Sequence, residues 1–121
     1  MKRTLFSAVA LSSALFASTA AAQPTPRQHA DAQKLVAEGV KLWEAQSLEI
    51  ARAKWEEAFT LESSPNTLFY IARAKQVQGR FLEAVAAYRK YRDLGFNPKL
   101  GERDKDEARL REMDCLKNLF Q

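Results

Sequence analysis

Cysteine occurs once, at Cys115, so no disulfide can close within the chain. An odd thiol in an oxidising compartment is either buried or paired between chains. Histidine also occurs once, at His29, with no cysteine near it in sequence. That spacing excludes the common zinc motifs, and His29 reads as a solvated residue on a first helical turn. The glycines at Gly79, Gly95 and Gly101 stand alone in expected turns, so no glycine-rich loop is available to cradle a phosphate. Ser12-Ser13 and Ser63-Ser64 have no partner base but His29, and nothing marks that residue as one. Acid pairs such as Glu56-Glu57 and Asp106-Glu107 lie within charged helical faces. No catalytic residue, cofactor site or metal site is therefore expected, and the chain does not read as an enzyme.

Long apolar runs are equally scarce. One spans about residues 5–17, behind the positive start Met1-Lys2-Arg3 and ahead of small residues at Ala20 and Ala22. Charged start, apolar middle and small-residue end form the three-part pattern of a secretory signal peptide, residues 1–22, with cleavage expected after Ala22. The run is too short and too rich in serine to span a bilayer. No second run follows, so no stable membrane insertion is expected after cleavage. Loss of Lys2 and Arg3 leaves 17 basic residues against 15 acidic, a net charge of +2 rather than +4. That balance does not point to nucleic acid. Arg80, Arg89, Lys90 and Arg92, followed by Lys99 and Arg103, form a basic stretch diluted by Glu83 and Asp93. It reads as a solvated helix face, with no aromatics interleaved to stack on bases.

What remains is rich in Ala, Leu, Glu, Lys, Arg and Gln, all strong helix formers. No alternating apolar run marks a strand. Breakers at Pro65, Gly79 and the segment 95–103 divide it into five expected helices, 26–45, 48–62, 65–78, 81–94 and 104–119. Ser64 suits an N-cap, with Pro65 at the first helical position, where its missing N–H costs nothing. A shift of 33 residues overlays Gly39 on Ala72, Leu48 on Phe81, Ala51 on Ala84, Trp55 on Tyr88 and Pro65 on Pro98. Small falls on small, aromatic on aromatic and proline on proline. Two helices per period make a helix-turn-helix repeat. The small residues are expected to let paired helices approach while Trp55 and Tyr88 fill the space one turn further on.

These residues resemble tetratricopeptide repeats, a family with a period near 34. The second unit carries the resemblance best, at Leu68, Ile71, Ala72, Gly79, Phe81, Ala84 and Tyr88. The first carries it at Leu35, Gly39, Leu48, Ala51, Trp55 and Ala58. The departures are Gln46-Ser47 in place of a turn glycine, Glu38 and Arg52 at usually apolar positions, Lys75 where an aromatic is common, and Tyr91 where alanine is common. The resemblance implies an all-α fold of tandem antiparallel helix pairs, a small α-solenoid. Its organisation would be a signal peptide (1–22), a lead into the first helix (23–31), two repeats (32–64 and 65–98) and a C-terminal capping helix (99–121).

The capping helix carries an apolar stripe, Leu110, Met113, Leu116 and Phe120, expected to cover the open end of the second repeat. Cys115, beside the stripe, is expected to be half-buried. By resemblance, the first helix of each pair lines a concave groove, formed here by Val36, Val40 and Trp43 with Phe69, Arg73 and Gln76. The family's lysine-and-asparagine clamp for a peptide carboxylate is not matched, since Val36, Val40 and Tyr70 stand at those positions. The groove would suit an amphipathic helix or an extended apolar peptide. Phe69 is expected to serve as an exposed anchor, outside the packed core. The expected function is an exported, periplasmic or secreted, interaction module for a protein or peptide partner in the cell envelope. The alternative is a structural subunit that forms a homodimer or larger homo-oligomer through the open repeat end or the last helix.

Overall fold

A computed structural model describes residues 23–94 and 101–121, the side chains of the latter from residue 105 onward. The expected signal peptide and Pro98 lie outside the described residues. Among the described residues the chain is all-helical, with α1 (Pro26–Glu44), α2 (Leu48–Leu61), α3 (Pro65–Val77), α4 (Phe81–Asp93) and α5 (Gly101–Leu119). Each helix packs chiefly on its neighbours in the chain. The last helix begins at Gly101, three residues before the expected start, because the charged run that follows is made of helix formers and carries no break.

Helix ends follow from local chemistry. Thr25 caps α1: its hydroxyl accepts from the Gln28 N–H at 3.1 Å, and the Gln28 side chain accepts from the Thr25 N–H at 2.9 Å. This capping box satisfies two donors that the first turn would otherwise leave unpaired. Ser64 does precede Pro65 at the start of α3, but its side chain makes no capping bond. The ends of α1 and α3 share one motif. The Ser47 N–H reaches back to the Leu42 carbonyl at 2.8 Å, and the Arg80 N–H to the Lys75 carbonyl at 2.8 Å. Such a six-residue closure needs a left-handed residue just past the helix. Gly79 supplies it at φ 76°, and Gln46 supplies it at φ 66°. Gln46 thus adopts the glycine conformation without being glycine.

Two buried clusters form the core. One holds Ala51, Trp55, Ile71 and Ala74, with Val36, Val40, Leu42 and Trp43 packed on it. The other holds Leu68, Ala72, Ala84, Val85, Tyr88, Tyr91, Ala108 and Cys115. Phe59 touches both and makes the core continuous. Trp55 and Tyr88, 33 residues apart, are both buried, as are Ala51 and Ala84. Trp55 lies over Gly39, where an added Cβ would come within 2.7 Å of two indole carbons. The indole N–H donates to the Val36 carbonyl at 3.1 Å, so the ring is fixed at both edge and face.

Charges at expected apolar positions are paired. Lys54 on α2 reaches Glu38 on α1 at 3.5 Å. Arg52, nearly buried, sits between Glu49 and Glu56, and Lys75 on α3 approaches Glu56 at 4.0 Å. The basic stretch on α4 is likewise largely matched: Arg80 pairs with Glu83, and Arg89 and Arg92 both pair with Glu112 on α5.

The orientation of α5 departs from expectation. Ala108, Glu112 and Cys115 are buried, and Leu116 packs at their edge. Leu110, Met113 and Phe120, three of the four stripe residues, face away and are 65%, 59% and 87% exposed. Two features of the packed surface account for this. Arg89 and Arg92 on α4 both pair with Glu112, which draws that face of α5 onto the contact. The small Ala108 and Cys115 also admit the Tyr88 and Tyr91 rings, which share their cluster. Cys115 is consequently fully buried rather than half-buried, and burial, reinforced by the charge of Asp114, raises its thiol pKa.

Candidate binding groove

Residues chiefly of α1 and α3, with Tyr91 of α4 and Glu107 of α5, line an open hollow of about 650 Å³, with Val36, Phe69, Tyr70 and Arg73 in its lining and Glu62 and Glu107 its acids. A second hollow of about 110 Å³ lies between Val40, Trp43, Trp55, Tyr70 and Arg73. Tyr70 and Arg73 line both, so the two adjoin. Tyr70 stacks on Trp55 with ring centroids 4.9 Å apart and planes 20° from parallel. Trp43 tilts against the other side of the cluster, 5.6 Å from Trp55. Three aromatic rings therefore form one wall, anchored through Trp55 to the Val36 carbonyl.

Helical phase explains which side chains reach this space. On α3, Asn66, Tyr70, Arg73 and Val77 recur at four- and three-residue spacing, and all four are exposed. That row is the open face. Phe69 and Gln76 lie one position earlier on the spiral and turn towards α4 and α5. Val36 and Val40 are half-buried on α1, where they floor the space, and Trp43 lies one turn further along.

Of the six expected groove residues, Val36, Phe69 and Arg73 meet at the larger cavity, and Val40, Trp43 and Arg73 at the smaller. Gln76 lines neither. It accepts from the Tyr88 hydroxyl at 2.7 Å and donates to Asp114 at 3.0 Å, tying α3 to α4 and α5. Burial raises the Tyr88 pKa, which keeps that hydroxyl a donor. Phe69 borders the cavity but is not the free anchor expected. Its ring meets Tyr88 and Tyr91 edge-on at 5.8 and 5.2 Å, and the Arg111 guanidinium lies 5.9 Å from its centroid. It is half-buried against the core. Tyr70 belongs to the groove although its sequence position drew notice only for lacking a clamp residue. Its spacing of three from Arg73 and seven from Val77 carried the signal.

His29 is exposed on the first turn of α1, and its Nδ1 contacts a Glu62 carboxylate oxygen. Among the described residues no group of His, Cys, Asp and Glu is arranged to hold a metal ion. No helix among them is long and apolar enough to cross a membrane. Compared with known proteins, the chain matches no family model, no curated protein and no solved structure.

Proposed function

We propose that this chain is an exported helical-repeat module of the tetratricopeptide type, which holds a segment of a protein partner in the groove between α1 and α3. One observation carries the reading: two adjoining hollows share Tyr70 and Arg73, with an aromatic wall on one side and valines beneath. The lining combines apolar surface with one cation, Arg73, and the acids Glu44, Glu62 and Glu107. It fits a peptide whose apolar side chain enters a hollow while an acidic group meets Arg73 and a basic group meets the carboxylates. The arginine stem covers apolar surface while its head stays in water, a common hot-spot arrangement. The repeat reading rests on the 33-residue overlay, the paired burial of Trp55 and Tyr88, and the matching turns at Gln46 and Gly79. Export to the cell envelope rests on the pattern of residues 1–22.

Selection from a random displayed peptide library tests the groove. The selected peptides are expected to combine an apolar or aromatic residue with an acid. Arg73→Glu should weaken their binding by about 1.4 kcal/mol or more, tenfold in affinity, with the melting temperature unchanged. Tyr70→Ala should weaken it similarly. Peptides that bind both variants as well as the parent chain would place recognition elsewhere.

A further inference from the structure

The outer face of α5 is patterned as regularly as its packed face. Asp106, Leu110, Met113 and Lys117 follow one another at spacings of four, three and four, with Phe120 one residue past the helix end, and all five are exposed. This is the spacing of a helix–helix seam, in which every second step falls on the same stripe. The seam lies opposite the row Ala108, Glu112 and Cys115 that packs on α4, so α5 can take a second helix without giving up its first contact. Its apolar centre is flanked by an acid on one side and a base on the other.

That order is self-complementary in one direction only. Place two copies of α5 antiparallel with Leu110 of one opposite Met113 of the other. The same register sets Asp106 opposite Lys117, twice by the two-fold symmetry. Asp106 and Lys117 are both exposed. Within one chain Arg109 already lies 3.2 Å from Asp106, so it would join each Asp106–Lys117 pair across the interface. A parallel pairing instead sets Asp106 on Asp106 and Lys117 on Lys117, like charges at both ends. Opposite charges flanking an apolar seam select partner and orientation in just this way.

We infer that the outer face of α5 is a homodimer interface, occupied by the α5 of a second copy in antiparallel register about the Leu110–Met113 centre. None of the five seam residues lines the groove, although Glu107 beside them on α5 borders it. The seam from residue 106 to residue 120 is only about 21 Å long, which makes the contact small and the dimer weak.

Sedimentation equilibrium of the purified protein, at concentrations up to about 1 mM, reads the association directly. A monomer–dimer equilibrium is expected. Asp106→Lys and Lys117→Asp should each weaken it at least tenfold, because each turns two attractive contacts into two repulsive ones. An equimolar mixture of the two variants should regain the dimer, since every cross-pair is then opposite in charge. Met113→Glu should weaken it at least tenfold as well. All three positions are exposed, and circular dichroism should match the parent chain. Three results would overturn the inference. They are a parent chain monomeric at about 1 mM, a dimer indifferent to the single charge reversals, and a mixture that stays monomeric. The single reversals also report direction, because a parallel dimer has like charges at both ends before and after either change.

Discussion

Gly39 lacks a side chain where Trp55 takes the space. An alanine there would bring its Cβ within 2.7 Å of two carbons of a ring that is buried and held by a hydrogen bond. The ring has nowhere to move, so Gly39→Ala is expected to destabilise by about 1–3 kcal/mol despite alanine's better helix propensity. Urea denaturation measures this, and an unchanged midpoint would mean the ring can shift. At the equivalent position Ala72 belongs with Tyr88, a smaller ring, and the larger partner is tolerated. Gln46 poses the opposite case. A left-handed conformation costs a side-chain-bearing residue roughly 1–2 kcal/mol. Glycine removes that strain but adds roughly 0.5–1 kcal/mol of entropy to lose on folding. Gln46→Gly is therefore expected to stabilise by about 0.5–1 kcal/mol, read in the same denaturation experiment. A loss of stability would show that the glutamine side chain contributes something beyond its backbone.

Helices are held to one another here by a mixture of close contact and charge. The α4–α5 contact depends on Glu112, which accepts from Arg89 at 2.6 Å and also pairs with Arg92. Glu112 is nearly buried, whereas Arg89 is more than half exposed. Removing one member of a fully buried pair costs roughly 3–5 kcal/mol, but solvent screens Arg89 and lowers the penalty. Glu112→Gln keeps the shape and removes the charge, and is expected to cost about 2 kcal/mol. Hydrogen exchange should show the loss first in α5, whose described packing is chiefly on α4. Equal loss of protection across α1 and α2 would mean that α5 does not open on its own. The ion pairs of Lys54 with Glu38 and of Lys75 with Glu56 play a comparable part between α1, α2 and α3, but their acids are more exposed and each contributes less.

Stability of the whole molecule should fall on the alkaline side. Burial holds the Cys115 thiol above its ordinary 9.0 and the Tyr88 hydroxyl above its ordinary 10.0. Both are neutral when protonated, so the folded state keeps protons that the unfolded chain releases. Below about pH 8 both states keep nearly all of these protons and their contribution is complete. As pH rises past the unfolded values, the unfolded state is favoured progressively until the folded groups also ionise. The melting temperature is expected to be level from about pH 7 to 8 and to decline above about pH 9. Cys115→Ala should flatten the first part of that decline, measured as slope rather than absolute stability, since the substitution also leaves a small void. An identical slope in the variant would assign the decline to other groups.

Local chemistry carried by the sequence sufficed for much of this. Helix ends followed from Pro26, Pro65 and Gly79, because proline and glycine constrain backbone angles whatever lies around them. Burial of Trp55, Tyr88, Ala51 and Ala84 followed from periodic spacing, because helical phase turns residues at fixed intervals to one side. Where two faces of a helix compete for burial, phase alone is not enough. The stripe of α5 was visible in the sequence, yet its direction depended on Arg89 and Arg92 lying across the contact. Gln76 was likewise drawn from the groove by partners on α4 and α5, and Phe69, still at its border, was half-buried by the ring of Tyr88, while Tyr70 came in through its stack on Trp55. A sequence read along one helix determines which residues share a face. Which face is covered is decided between helices, by charges and shapes that meet only when the chain has folded.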